Sequence, residues 1–600
     1  MAFLQDNREY IRRIGWLGWL FSVLILVLFC RLWYLSIVRY DHFVSLANRN
    51  QIRSVSLIAP RGEIYDREGT ILVENTFGFD LLLFPDQVID PKETQAYLKD
   101  AITFSAEKFY ERLDAGRSYG RYQPVVLKQN LSLAQMSYLL ARSSDHPELE
   151  ILERPRRSYV YGNLAAHLFG YMGEISASEL SLDIFRERRA GDLVGKSGIE
   201  RIYDADLSGR NGIQKLRVDS RGRTVALLPP VPAQSGQPIR LTIDLDLQKA
   251  TERALEGQVG AAIAMDPRNG EILAIASHPT FDPNDFSTRI SLSKWENLTY
   301  NSDKPLQNRV VQNTFSPGSI FKIVMALAGL EEGVLDPKEK VLCSGSKEFF
   351  GRRFRCSSKS GHGRLDLRRA LQYSCNIYFY ELGRRLGIDK IAAFSRKIGL
   401  GETTGVDLPG EVPGIVPSRE WKKKTTGMPW FAGETISVSI GQGPVLVTPL
   451  QVALVLTAIS RGQVVRPHIR MDRNAHDVQS FPREHLKPIR DGLWLSVNDS
   501  GTGRAAHIDG MEVAGKTGTV QTISRETLDK LPSGQAARFK PNAWFAGFAP
   551  MDDPRIVVAV IIERGGDGGR VAAPVARTIF QAYTQKFLKA PGSRQLAAGQ

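Results

Sequence analysis

The residues best suited to chemistry form three short motifs in the second half of the 600-residue chain. The first is Ser319-Ile320-Phe321-Lys322, introduced by Pro317-Gly318 and followed by an apolar run through Leu330 that ends at Gly333. This pattern predicts a buried helix with a glycine stop. Ser319 then sits in the first turn, with Lys322 on the same face three residues on. A serine hydroxyl is a weak nucleophile, and a lysine held in a dry site with a lowered pKa can take its proton. Backbone N–H groups at a helix start add a field that stabilises an oxyanion. The second motif, Ser374-Cys375-Asn376, falls in the break between a helical pattern ending near Tyr373 and another starting near Ile377. The third, Lys516-Thr517-Gly518-Thr519, lies in a strand-like stretch over 512–520. A hydroxyl between two lysines could relay a proton to a leaving amine, while Asn376 hydrogen-bonds a substrate amide. Gly518 lets a peptide backbone approach the strand closely. The hydroxyls of Thr517 and Thr519, beside Lys516, suit a terminal carboxylate. Each motif alone also reads as solvated helix, loop or Gly-containing strand; the three in this order are hard to produce by accident.

A second cluster overlaps the first. Apart from Cys30, the cysteines are Cys343, Cys356 and Cys375, with His362 between the last two. Three thiols and an imidazole make a closed zinc set, which leaves no open position for water and so implies a structural role. The spacing is neither a finger nor a ribbon pattern. A disulfide would leave an odd thiol, awkward in an oxidising compartment. Unlinked buried cysteines are the third reading, and His362 alone reads as a loop histidine. Because Cys375 lies inside the second motif, a metal there would pin the loop presenting Ser374 and Asn376. The catalytic chemistry itself calls for no cofactor.

The elements that must position these groups are legible around them. A strand over 239–243 leads into a helix over 246–255, and 261–265 with 272–276 form a hairpin turning at Arg268-Asn269-Gly270. Strands over 543–548 and 556–562 precede a closing helix over 572–588. Upstream, 54–75 reads as extended segments broken by a turn, 131–142 as a helix and 225–228 as a strand. Pro229, Pro230 and Pro232, with Gln234, Ser235 and Gly236, mark a linker. At the N-terminus an uncharged stretch over 14–30, extended apolar through Val38, is long enough for one bilayer-spanning helix. Arg8, Arg12 and Arg13 precede it, and Trp16, Trp19, Trp33 and Tyr34 lie near its ends, where interfacial rings belong. No small-x-small site follows, and Phe29 precedes Cys30, so the segment reads as an uncleaved anchor rather than a signal peptide or lipoprotein leader. Arg31, Arg39, Arg49 and Arg53 flank the far end, so flanking charge does not fix orientation.

Composition is that of a globular protein: 42% hydrophobic, 24% charged, 9% aromatic. The length implies two or three domains. A formal net charge of +14, with no Lys/Arg run longer than Lys422-Lys423-Lys424 and no zinc-finger spacing, points away from nucleic acid and toward anionic lipid or an acidic wall polymer.

The three motifs are the set found in penicillin-binding proteins and serine β-lactamases. Over nearly its whole length the chain resembles the monofunctional class B penicillin-binding proteins, especially their elongation-specific branch, penicillin-binding protein 2. Ala59-Pro60-Arg61-Gly62 with Ile64-Tyr65-Asp66-Arg67, and Gly195-Lys196-Ser197-Gly198-Ile199-Glu200, are similar to that family's pedestal motifs. Ser439-Ile440-Gly441-Gln442-Gly443 with Thr448-Pro449, and Ala543-Trp544-Phe545 before Gly547-Phe548, are similar to its catalytic domain. Asn542 stands where the family pattern has His, and Cys375 lies between the polar residues of the second motif. The resemblance implies an α/β (α+β) transpeptidase domain, an antiparallel sheet with flanking helices, on an elongated pedestal with one transmembrane helix. The implied boundaries are a cytoplasmic N-terminus (1–13), anchor helix (14–38), pedestal (39–228), linker (229–237), transpeptidase domain (238–590) and disordered tail (591–600).

It also implies a function: D,D-transpeptidation of peptidoglycan stem peptides during elongation, with Ser319 acylated by D-Ala-D-Ala or by β-lactams. The partners it implies are stem peptides, a lipid-linked precursor, a polytopic SEDS glycosyltransferase and other elongation-complex membrane proteins, with the bulk of the chain periplasmic. Three rivals remain. A division-specific crosslinker is nearest; the cysteine-bearing second motif and Arg31-Leu32-Trp33-Tyr34 lean toward elongation. A serine β-lactamase would lack the long N-terminal region and anchor, and Asn376 departs from the class D form of the second motif. A penicillin-binding sensor or scaffold would not need intact Ser319, Lys322, Ser374 and Lys516.

Overall fold

The computed structural model describes residues 6–118, 124–186, 188, 192–218, 224–288, 290–473, 477–521 and 539–588. The tail expected to be disordered, 591–600, lies outside the described residues. The chain divides into two units that interleave in sequence. One gathers Met1–Pro60, Phe77–Pro155 and Gly209–Ser235; the other gathers Arg61–Thr76, Arg156–Ser208 and Gly236–Gln600.

In the first unit the apolar N-terminal segment Tyr10–Val38 is helical and holds an 18-residue window of mean hydropathy 2.2, none of it buried. At 1.5 Å per residue it exceeds the roughly 30 Å hydrocarbon layer, so it fits a single-pass membrane anchor. A three-stranded antiparallel sheet follows, Ile52–Leu57 against Gly212–Val218 against Thr224–Leu227. The proline-rich stretch is partly tied down: Val231 pairs with Ile213, and Gln234 with Arg210. A small separate core holds Leu81, Leu98, Phe109, Leu127 and Leu139. Its helices start as their sequences dictate. Asp90 caps Pro91–Ile102 through the amides of Lys92 and Glu93, and Ser132 with Gln135 forms a capping box on Leu133–Ala141.

The second unit is built on a five-stranded antiparallel sheet of β1 (Gly260–Met265), β2 (Ile272–His278), β3 (Ala514–Val520), β4 (Asn542–Ala549) and β5 (Ile556–Ile562). The spatial order is β2-β1-β5-β4-β3. Alternate residues enter two different cores, as the two-residue period of a strand requires. Val557, Ala559 and Ile561 join Ala261 and Ile263 on one face, under the helices Phe321–Glu331, Asn376–Lys397 and Pro449–Arg461. Val558, Val560 and Ala262 join the other, under Leu245–Ala254 and Ala572–Tyr583. With both faces covered, every residue of β5 is buried, which is why it reads as an unbroken apolar run.

Two N-terminal motifs meet in this unit. Arg61 Nε lies 2.5 Å from Glu200 Oε2, Arg157 Nε lies 2.6 Å from Glu200 Oε1, and Arg61 also reaches Asp204 at 2.9 Å. Glu200 is wholly buried. Burial alone would raise its carboxyl, but Arg157 and Arg61 outweigh that and hold it below the usual range.

Candidate active site

The expected helix is Phe321–Glu331, with ten of its residues buried and Gly333 at φ +64° just past its end. Ser319 is half-buried in the 3-10 turn Gly318–Ile320 that leads into it, where the helix dipole adds positive field. Two glycines shape that turn. Gly318 has φ +53°, and its N–H donates to Gly441 O at 3.0 Å. Gly441 has φ +70°, and a Cβ there would lie 2.1 Å from Gly318 O. Only glycine allows both the dihedral and the approach. Trp544 Nε1, from β4, donates to Ser316 O at 3.1 Å and braces the turn from the sheet.

Lys322 is fully buried. Its Nζ donates to Ser374 O at 2.8 Å, Ser374 Oγ at 3.1 Å and Asn376 Oδ1 at 2.7 Å. Burial lowers its pKa to about 8, against the opposing pull of Cys375 and Cys356. Ser374 holds φ +56° between the helices Leu367–Gln372 and Asn376–Lys397, a left-handed bend that turns its carbonyl and hydroxyl to the same ammonium. Lys516 is also fully buried, and burial followed by repulsion from Lys322 pushes its pKa well down. Its Nζ donates to Thr517 O at 3.1 Å rather than to Ser374.

The rest of the third motif divides its labour. Thr517 is buried and donates to Thr502 Oγ1 at 2.8 Å, while Thr519 is exposed and accepts from Gly568 N at 3.2 Å. A Cβ on Gly518 would meet Trp544 Cβ at 3.1 Å and Pro317 O at 3.2 Å, so this glycine serves close packing of β3 on the serine turn. Asn542 ends β4 opposite Val520 and accepts from Arg564 N at 3.0 Å.

The cysteine cluster is also assembled. The ligand atoms of Cys343, Cys356, His362 and Cys375 all lie within 4.8 Å of one another. Cys343 Sγ and Cys356 Sγ are 3.6 and 3.5 Å from His362 Nδ1, and Cys356 Sγ is 3.9 Å from Cys375 Sγ. None of the four cysteines is in a disulfide. The hydrogen bond between Cys375 and Cys356 pushes the Cys356 thiol down and the Cys375 thiol up.

Sequence reasoning did not single out Thr502, Tyr380 or Arg355. Asn376 Nδ2 donates to Arg355 O at 3.3 Å and Tyr380 OH to the same carbonyl at 3.5 Å, so the segment carrying Cys356 also orients Asn376. A backbone acceptor has no residue-type signature. Tyr380, one turn beyond Asn376, was the detectable half of that contact.

Comparison with known proteins addresses the chain as a whole. The penicillin-binding protein transpeptidase domain matches residues 260–581, and the penicillin-binding protein dimerisation domain matches 56–241. The chain is 33% identical over 94% of its length to the peptidoglycan D,D-transpeptidase MrdA of Haemophilus influenzae, covering 90% of that protein. Among solved structures it superposes on the Helicobacter pylori penicillin-binding protein PBP2, solved with MreC, at a TM-score of 0.77. That match has 29% identity and covers 89% of this chain and 99% of the other. It also matches a chain of a peptidoglycan synthase complex that coordinates polymerization and crosslinking, at a TM-score of 0.71 and 30% identity, covering 96% and 98%. With a transpeptidase domain over most of its second half, a dimerisation domain before it and a relative matched nearly end to end, the chain belongs to the penicillin-binding protein transpeptidases.

Proposed function

We propose that this peptidoglycan D,D-transpeptidase works through Ser319 as its acylated nucleophile. The observation that carries the reading is the buried Lys322 ammonium, one helical turn from Ser319 and bonded to both Ser374 Oγ and Asn376 Oδ1. In its neutral form Lys322 takes the Ser319 proton as Oγ attacks the penultimate D-Ala carbonyl. Ser374, with Lys516 behind it, returns a proton to the leaving D-alanine amine as the C–N bond breaks. An amine of a second stem peptide then attacks the ester, gives up its own proton to the same groups, and Ser319 leaves protonated. Asn376 holds the donor amide, while Lys516, Thr517, Gly518 and Thr519 form the edge that takes its backbone and terminal carboxylate. β-Lactams acylate the same serine.

The four sulfur and nitrogen atoms suit a structural zinc ion. Tetrahedral ligands at about 2.3 Å for sulfur and about 2.0–2.1 Å for nitrogen stand roughly 3.6–3.8 Å apart, beside separations of 3.5, 3.6 and 3.9 Å here. Held by Cys343, Cys356, His362 and Cys375, the ion would fix the loop presenting Ser374 and Asn376 and would touch no reacting atom. The domain boundaries inferred from sequence go with this reading. So does a periplasmic placement of everything beyond the inner-membrane anchor, with a SEDS glycosyltransferase and other elongation proteins as partners. Intact-mass analysis after penicillin treatment tests the central claim. Wild type is expected to carry one long-lived adduct and Ser319→Ala none; an adduct on the variant refutes the assignment, and rapid turnover of the drug would make the chain a β-lactamase.

A further inference from the structure

Between Lys340 and Arg369 the chain carries nine Lys or Arg residues and two acidic ones. Three of the cations find carboxylates: Lys347 with Glu381 at 3.0 Å, Arg368 with Asp366 at 3.5 Å and Arg369 with Asp499 at 3.1 Å. Arg352, Arg353, Arg355, Lys359 and Arg364 are exposed, and their side chains have no ion pair among the described residues. The antiparallel hairpin of Ser346–Phe349 and Arg352–Arg355 arranges them. Phe349 and Phe354 share one face and pack on the Tyr380 ring at 6.0 and 5.4 Å. Alternation therefore sends Arg353 and Arg355 to the opposite face, where Glu348, paired across from Arg353, is the one acid of the hairpin.

Like charges crowded on one small hairpin repel, and Glu348 can offset only part of that on its face. The surface is also tied to the catalytic motif, because Arg355 O is the acceptor of Asn376 Nδ2. A cationic face joined by a single hydrogen bond to a group that handles substrate favours an anionic substrate over a bulk membrane surface. Arginine forks match carboxylates in a bidentate geometry.

We propose that the hairpin face carrying Arg353 and Arg355, with the exposed Lys359 and Arg364 further along the same segment, binds the free carboxylates of stem peptides on a peptidoglycan strand and aligns that strand with the acyl-transfer site. This rests on the transpeptidase reading above. The surface selects substrates by charge, in addition to the recognition of one terminal carboxylate at β3.

The test uses the full-length chain in neutral detergent and measures binding to uncrosslinked glycan strands. The strands carry either free stem carboxylates or the same groups converted to carboxamides. Several exposed, individually weak contacts acting together predict about tenfold tighter binding to the carboxylate strands at low salt. Screening should shrink that preference as ionic strength rises. The variant R353Q/R355Q/K359Q/R364Q should lose most of the preference and keep only the part due to the terminal carboxylate read at β3, whereas R353K/R355K/R364K should keep most of it. Equal binding of wild type to both strands overturns the proposal, even if the quadruple variant fails to fold. So does a quadruple variant that keeps the whole of the preference, or one that loses binding only to phosphatidylglycerol vesicles. A wild-type chain that takes no penicillin adduct would sink the transpeptidase reading instead, and the strand-binding comparison would still be read on its own terms.

Discussion

The buried Lys322 makes the rate of Ser319 acylation a function of pH, and its size follows from the site. Burial takes the amine from an ordinary 10.5 to about 8. Each pKa unit is worth about 1.36 kcal/mol, so keeping the charge there costs about 3 kcal/mol. At pH 7 about one molecule in ten then carries a neutral amine, against roughly one in three thousand for an unshifted lysine, a gain of about 300-fold in competent base. Acylation by penicillin, followed by rapid quench and intact mass, should rise about tenfold per pH unit below pH 8 and level off above it. Stability carries the same sign. Between about pH 8 and 10.5 the unfolded chain binds the extra proton, so this group makes folding more favourable as pH rises through that window; below it the full penalty applies. Lys322→Arg keeps the charge but cannot release a proton in this range. It should cost about 10²–10⁴-fold in acylation. A flat profile from pH 6.5 to 9, or an arginine variant within tenfold of wild type, would refute Lys322 as the base.

Three further outcomes are expected. Gly441→Ala places a methyl 2.1 Å from Gly318 O at φ +70°; it should lower penicillin acylation at least tenfold and cost about 1–3 kcal/mol, and an unchanged acylation rate would show that the serine turn is not seated on this glycine. Glu200→Gln removes the charge shared by Arg61 and Arg157 and should destabilise by about 3–5 kcal/mol, read from urea unfolding. Because that carboxyl is held low, its contribution is present above the unfolded pKa and is lost as pH falls through the folded value, so wild type and variant should converge in acid. Purified wild type should carry one zinc per chain, and Cys356→Ser should lose the metal and melt earlier; a metal-free, fully active enzyme would refute the zinc assignment.

Much of this was legible without coordinates, and the exceptions share a physical cause. The hairpin of β1 and β2 was visible because Arg268-Asn269-Gly270 is turn chemistry between two apolar runs. The helix after Ser319 was visible because its apolar run ends at a glycine. The Ser374 break was visible because two helical patterns fail to join there. What escaped were contacts between groups that carry no residue-type signal. Nothing in Arg355 announces that its carbonyl will orient Asn376, and nothing in Gly441 announces that Gly318 will rest on it. The interleaving of units escaped too. Arg61–Thr76 and Arg156–Ser208 lie upstream of the proline-rich stretch, yet they pack with the catalytic core. A linker composition marks where the chain is extended and says little about which core the flanking segments join.

The order β2-β1-β5-β4-β3 has a consequence in time. The centre of the catalytic sheet is the strand Ile556–Ile562, the last of the five to be synthesised, and the first two wait at one edge for it. Folding of this unit therefore closes its longest loop near the end, the slow regime of high contact order. The serine turn leans on β4 through Trp544, so Ser319 gains its working surroundings only once the chain through β4 has emerged. A nascent chain that stops short of β4 has the nucleophile in its sequence but no formed site to use it, and β4 acts as the release for the chemistry encoded more than two hundred residues earlier.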